Sequence, residues 1–390
     1  MPPKQGEIIE EVEDHKKIGV ELETPEDEEE ETISVPWDPN LIRVDAKSFS
    51  LRNILDMVDE GDLELAPDFQ RRNVWNHKQR SRLVESLLLR IPLPAFYFSA
   101  NEDGKLLVVD GLQRLSAIYD FVRGKPNDKR YKLDKLEYLQ EEVGKKYFED
   151  IEGTRWARRI YLTQIVANVV DPQTPVNVKF DIFKRINTGG SPLNAQEIRH
   201  CMSKTRSRDF LKRLANSEAF NKATNDNLRN HIRMVDREVI LRFCAFRLID
   251  NVEKEYAPHE TMNAFLTEIA RKIDTELSKE ELEQLAEDFE QAMFNAHKLF
   301  GTRAFRKLPP VGSKKLYPIN RALFETWGNA LADYNWEALE PLKPTIVKLA
   351  RKMILTDNDF LSAISTSTST VSKIELRFSK VKEILIEAGL

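Results

Sequence analysis

The apolar positions of this chain change their spacing near residue 194. Before it, short apolar runs alternate with helical stripes. After it, apolar residues recur almost throughout at three- and four-residue intervals. The alternation in Leu41-Ile-Arg-Val-Asp-Ala-Lys-Ser-Phe49 predicts a strand. Ser50 is placed to cap a helix over Leu51 to Glu60, and Gly61 to close it. Leu63 to Phe69 reads as a short extended segment. Asn76 to Arg90 reads as a helix with the stripe Leu83, Val84, Leu87 and Leu88, stopped by Ile91-Pro-Leu-Pro94. Ala95 to Ser99 and Leu106 to Val109 form a hairpin around the turn Asn101 to Gly104. A helix bearing Leu115, Ile118, Tyr119 and Val122 follows at once. Residues 127–155 read as a charged surface excursion, Ile160 to Val170 as a strand, and Val178 to Ile186 as a helix broken at Asn187-Thr-Gly-Gly-Ser-Pro192. Helices are predicted over 195–216, 235–251, 260–275, 279–300, 318–333, 341–354 and 373–387, with a flexible Ser/Thr-rich loop over 365–372.

The pattern divides the chain into an α/β part near 35–200 and an all-helical part over 201–390, an α+β protein. Residues 1–34 belong to neither. Thirteen acids and three lysines give residues 1–33 a charge of −10, so the net −5 of the chain leaves +5 on the remainder. This start, with its unbroken run Glu26 to Glu31, reads as a disordered acidic tail, or as a nucleic-acid mimic that masks a basic groove.

Composition narrows the function classes. No apolar run approaches the roughly 18–20 residues of a membrane span, and the acidic start resembles neither a signal nor a transit peptide. The expectation is a soluble cytoplasmic protein. Two cysteines, Cys201 and Cys244, exclude a disulfide framework and a cysteine zinc site. The periodicity predicts partial burial of Cys201, and His200 beside it is expected at the surface. Six scattered histidines contain no H-E-x-x-H, and neither G-x-S-x-G nor a Walker motif occurs.

Three constellations remain. In Val108-Val-Asp-Gly-Leu-Gln-Arg-Leu115 a strand ends at Asp110, Gly111 turns the chain, and a helix begins near Leu112. Such a turn directs main-chain N–H groups and the helix dipole at one spot, a ready anion site. Arg114 adds a forked donor. Asp110 is suited to capping the helix, orienting Arg114 or holding a magnesium-bound water. Read alone, the pattern fits a capped helix with a surface arginine as well. In Phe69-Gln-Arg-Arg-Asn-Val-Trp75, two arginines beside a tryptophan are able to grip phosphate or stack a base; a solvated pair and a core tryptophan fit equally. In Arg185-Ile-Asn-Thr-Gly-Gly-Ser-Pro-Leu-Asn-Ala-Gln-Glu-Ile-Arg199, Gly189 and Gly190 admit a close backbone approach, and Asn194 with Glu197 makes a capping box. Arg185, Asn187, Thr188, Glu197 and Arg199 exceed what a helix junction needs. Basic pieces at Lys204 to Arg213, Arg229 to Arg237 and Arg303 to Lys315 permit nucleic-acid contact without establishing it.

In this order the three segments resemble the N-terminal domain of GmrSD-type restriction endonucleases. The family pattern is a Gln-Arg shortly before a Trp, a helix ending in Pro-x-Pro, a strand running into Asp-Gly-Gln-Gln-Arg, and an Asn-Thr-Gly-Gly-x-Pro-Leu-Asn-x-x-Glu-Ile-Arg stretch. Here these are Gln70-Arg71 with Trp75, Pro92-Leu-Pro94, Asp110 to Arg114 and Asn187 to Arg199. Leu112 departs from the pattern by replacing its first Gln. The resemblance, over about 45–200, implies a ParB/sulfiredoxin-like fold and an NTP held by Gln70, Arg71, Asp110, Gly111, Leu112, Gln113, Arg114, Arg185, Asn187, Thr188, Gly189, Gly190, Glu197 and Arg199. It implies hydrolysis, with Mg²⁺, through Asp110, Gln113 and Arg114, used to gate action on DNA. A phosphate would order the Thr188–Gly190 loop against the turn. The alternative is a non-enzymatic DNA-binding or adaptor protein that grips the backbone with Arg71, Arg72, Lys78, Arg80 and Arg82. A redox activity by analogy with sulfiredoxin would need a reactive cysteine, and both cysteines lie outside the motifs. His231, His259 and His297 are too far apart for the HNH nuclease signature that many relatives carry. Cutting is therefore expected only with a separate nuclease partner.

Overall fold

The computed structural model describes residues 10–13, 16–22, 42–65, 75–101, 103–124, 131–186, 193–231, 233–259 and 261–390. The chain forms two compact units: Pro36–Met202, and Ser203–Leu390 joined by the described part of Met1–Val35.

The first unit is built on a five-stranded mixed sheet. A two-stranded hairpin precedes it in sequence, β1 (Glu10–Glu13) and β2 (Lys16–Glu21). The sheet strands are β3 (Val44–Ser50), β4 (Leu63–Glu64), β5 (Phe96–Ala100), β6 (Leu106–Asp110) and β7 (Gln164–Val170). Their order is β3-β7-β5-β6-β4, with β5 parallel to β7, β4 parallel to β6, and the other pairs antiparallel. The helices are α1 (Leu51–Glu60), α2 (His77–Leu88), α3 (Leu112–Val122), α4 (Gln140–Val143), α5 (Arg155–Leu162), α6 (Val176–Ile186) and α7 (Ala195–Met202). Ser50 Oγ accepts from Asn53 N at 3.2 Å to start α1, and Gly61 at φ +77° ends it. Asn76 and Gln79 form a reciprocal capping box for α2.

Alternation along the strands sorts the side chains onto two faces. Phe98, Val108 and Ala167 join Leu51, Leu87, Ile118 and Ile160 in one core. Val109 and Val170 point to the opposite face, where Phe183 of α6 and Ile198 of α7 cover them.

Several expectations fail here for identifiable reasons. The predicted surface excursion over 127–155 buries Leu133, Val143, Phe148 and Ile151. It is drawn inward by Glu85, whose carboxylate accepts the N–H groups of Glu137, Tyr138 and Leu139 at 2.7–3.0 Å. The start of the predicted strand 160–170 belongs to α5, because Ala157 and Ile160 lie on one helical face and Thr154 caps it. The predicted helix 195–216 is two helices, α7 and Thr205–Ala215, separated at Ser203 and Lys204.

The second unit is helical but not wholly so. Its principal helices are Thr205–Ala215, Val235–Arg247, Met262–Thr275, Lys279–Phe300, Arg321–Ala332, Lys343–Thr356 and Val371–Ala388. They enclose a core of Phe220, Phe243, Phe289 and Phe324. The acidic start, expected to be disordered, supplies the β1–β2 hairpin to this unit. Val20 bridges to Ile319 and is fully buried. The Glu21 N–H donates to Ile319 O at 2.7 Å, and the Ile319 N–H to Gly19 O at 2.9 Å. Two apolar residues, Ile18 and Val20, suffice because cations far along the chain neutralise the adjoining acids. The predicted flexible loop 365–372 is also tied down: Arg377 donates to Thr368 O at 2.5 Å, and Thr368 is buried.

Candidate functional site

The geometry of the Asp110–Arg114 segment starts from one glycine. β6 ends at Asp110 and α3 begins at Leu112, so Gly111 must reverse the chain in a single residue. It does so at φ +94°, a conformation that costs L side chains energy. A Cβ there would lie 2.3 Å from Cδ1 of Phe96, so only glycine fits. As N-cap it offers no side chain to the first-turn N–H groups of α3.

Arg114, one turn into α3, braces this bend. Its guanidinium donates to the carbonyls of Pro94 and Ala95 and, at 2.9 Å, to Asp110 Oδ2. It also lies 4.4 Å over the Phe96 ring. Burial lowers its pKa, and Asp110 opposes that shift through charge and hydrogen bonding. The fork expected to face a phosphate is thus turned onto the protein's own backbone, tying the start of β5 to the end of β6. Leu112 packs against the main core, so the side chain that departs from the family pattern points inward. Gln113 is partly exposed beside it.

Only the flanks of the other two motifs are among the described residues. β4 runs parallel to β6, pairing Glu64 with Leu107, so the chain leaves β4 toward the Asp110 end. The next residues, including Gln70, Arg71 and Arg72, lie outside the described residues. The chain returns at Trp75, which packs on the core edge, and α2 packs on α3. On the opposite face, α6 and α7 pack together and α7 rests on β6. Phe183 and Ile198 therefore contact Val109, one residue from Asp110. Arg185 is exposed near the end of α6. Asn187, Thr188, Gly189 and Gly190 lie outside the described residues. Beyond them the expected capping box is present: Asn194 N donates to Glu197 Oε2 at 2.7 Å, and Glu197 N to Asn194 Oδ1 at 2.9 Å. Glu197 is fully buried, and Arg199, 1% exposed, donates to Gln196. Both are interior residues, and His200, expected at the surface, is buried as well.

The basic face expected on α2 is smaller than its sequence implies. Arg80 pairs with Asp120 at 2.6 Å and stacks 4.3 Å over Tyr131, so it joins α2 to α3. Arg82 lies 3.4 Å from Glu137, with both side chains half exposed. Lys78 is exposed. Among the described residues, no three His, Cys, Asp or Glu side chains gather as a metal site. No helix of those residues is long and apolar enough to cross a membrane.

Two contributors escaped the sequence reading. Phe96 serves both Gly111 and Arg114, and Glu85 holds the 137–139 backbone. A carboxylate between Val84 and Leu87 on an apolar stripe is the signal that could have flagged Glu85.

The span of these features coincides with a known domain. Residues 51–203 match the family model for the GmrSD restriction endonuclease, N-terminal domain, from the first residue of α1 to the residue after α7. This part of the chain is a GmrSD N-terminal domain. Membership points to a component of a restriction or phage-defence system. The curated proteins and the solved structures hold no match to the chain. In the GmrSD N-terminal domain, then, the Asp-Gly turn and the Arg that follows it form one braced unit, and the Asn-Thr-Gly-Gly segment leads into a buried capping box.

Proposed function

We propose that the GmrSD N-terminal domain binds a nucleoside triphosphate at the turn between β6 and α3, and that this binding gates action on DNA carried out with a separate nuclease subunit. The observation that carries the reading is Gly111. An uncapped N-terminus on an eleven-residue helix, entered through a glycine that tolerates no Cβ, presents main-chain N–H groups to an anion. Arg185, exposed near the end of α6, whose Phe183 packs with Val109 beside Asp110, adds charge. In this reading Arg114 and Asp110 are positioning residues that hold the turn in shape, and Gln113 is the side chain of the motif that faces the ligand. The unit would then be a ParB/sulfiredoxin-like module.

The described residues do not build a magnesium site, since Asp110 Oδ2 is held by Arg114 and no acidic cluster gathers. The proposal is therefore one of binding, and no hydrolytic step is derived through a metal. The test is equilibrium binding of ATP, GTP, CTP and UTP to the purified full chain, with turnover measured alongside. At least one nucleotide binds, and Arg185→Ala weakens it by about ten-fold, the loss of one charge-assisted contact. Arg114→Ala weakens it too, by loosening the turn. A parent that binds none of the four, or an Arg185→Ala and Arg114→Ala pair that binds as the parent does, overturns the reading.

A further inference from the structure

The helical unit holds a second feature that the nucleotide reading does not use. Between Gly301 and Phe324 the sequence has six cations, Arg303, Arg306, Lys307, Lys314, Lys315 and Arg321, and no acid. The acidic hairpin β1–β2 lies on the buried part of this segment. Glu21 accepts from Lys307 Nζ at 2.5 Å and from Asn320 Nδ2 at 3.0 Å. Lys307 also donates to Ser365 Oγ at 2.6 Å. Glu11 pairs with Arg321 at 3.0 Å. Glu10 is the acid that offsets the burial of Arg306, whose Nε has no hydrogen-bond partner among the described residues.

The other part of the segment is exposed and stiff. Arg303 donates to Ser313 O at 2.7 Å, Arg306 to Tyr317 O at 2.5 Å, and Arg351 to Pro309 O at 3.1 Å. Three guanidinium groups thus hold one loop by its carbonyls. On it Val311 is 83% exposed, and Lys314 and Lys315 face solvent. A loop ordered in advance loses less freedom when a ligand arrives.

We propose that this cationic segment docks the phosphate backbone of a nucleic acid, and that the N-terminal hairpin occupies its buried end in cis, so that hairpin and nucleic acid compete for the same cations. Charge complementarity carries the choice of partner. Successive cations along a stiff loop match a ligand whose negative charge repeats at short intervals, and the carboxylates of Glu11 and Glu21 already sit where such charges would go. The hairpin is suited to exchange. Among the described residues its main-chain bonds to Ile319 are two; besides buried Ile18 and Val20, it is held by the ion pairs of Glu11 and Glu21 and by single hydrogen bonds to Asn320, Arg321 and His231.

The test uses the full chain. Duplex DNA is titrated against the parent, Glu11→Gln and Glu11→Gln/Glu21→Gln at low and physiological salt. Amide exchange is followed at Gly19, Val20 and Ile319. The double variant binds about ten-fold more tightly than the parent at low salt, with a steeper salt dependence. Adding Lys314→Ala and Lys315→Ala reverses the gain. In the parent, saturating DNA speeds exchange at Val20 and Ile319. If the double variant does not fold, Glu11→Gln and the exchange measurement decide. Unchanged affinity in the neutralised variants, or DNA bound without faster exchange at Val20 and Ile319, overturns the proposal. So does capture of poly-glutamate in place of DNA, which would assign the surface to an acidic protein. Loss of nucleotide binding at Gly111 leaves these outcomes untouched, so the two proposals fail separately.

Discussion

The two units use charged side chains differently. In the GmrSD N-terminal domain, charges hold backbone: Arg114 takes two carbonyls, and Glu85 takes three consecutive N–H groups. In the core of the helical unit, away from the loop that Arg303, Arg306 and Arg351 hold by its carbonyls, charges hold charges. Arg377 and Glu325 pair with no solvent exposure, Arg242 reaches Glu325 and Glu238, and Arg321 reaches Glu238 and Glu11. A charge on a carbonyl shapes a turn where a ligand can arrive. A charge on a buried charge fixes how elements meet, and losing either partner strands the other.

That contrast predicts its largest effect at Arg377. Arg377→Met leaves Glu325 buried without its closest cation and costs about 3–5 kcal/mol. Denaturant melts followed at Trp327 register the loss, while Trp156 in the other unit reports little change. Equal losses at both probes would break the comparison.

Next comes Gly111→Ala, where a positive φ and a methyl group against Phe96 together cost about 2–4 kcal/mol. Pairing it with Phe96→Leu recovers part of the loss in the same melts. No recovery would show that Phe96 is not the obstacle.

A smaller effect is a pair of opposed pH responses in the helical unit. Burial lowers the pKa of His231 from 6.5 to about 4, with a backbone bond to Ile18 opposing. Its contribution to stability is full above pH 6.5 and is lost as pH falls toward 4. Burial raises Asp236 from 3.8 to about 6, with Arg237 opposing. Its contribution is full below pH 3.8 and is lost as pH rises through 6. Between pH 4 and 6 the two nearly cancel. In Asp236→Asn stability rises with pH over that window, and in His231→Gln it falls. Urea melts at pH 4.5 and 6 read the slopes, and slopes of one sign in both variants would refute the assignment. The least effect is that of Arg82→Ala, whose half-exposed pairing is worth under about 0.5 kcal/mol.

What was legible in the sequence follows the same divide. Local chemistry showed itself. Ser50 and Gly61 bound α1, Asn194 and Glu197 cap α7, and the stripe of α2 is buried as its spacing predicts. Asp110 and Arg114 are four residues apart, and their segment could be singled out. Distant pairings left no trace. Nothing about Arg114 announces the Pro94 carbonyl, and nothing about Glu85 announces the loop 137–139. The acids of β1 and β2 look unable to fold because their partners, Lys307 and Arg321, stand nearly 300 residues away. Arg80 looks like a surface cation until Asp120 and Tyr131 are brought beside it.

The docking of β2 on Ile319 has a consequence for synthesis. The ribosome makes the β1–β2 hairpin nearly 300 residues before Ile319, the residue on which it docks. At about 5–20 residues per second the hairpin waits some tens of seconds for a seat.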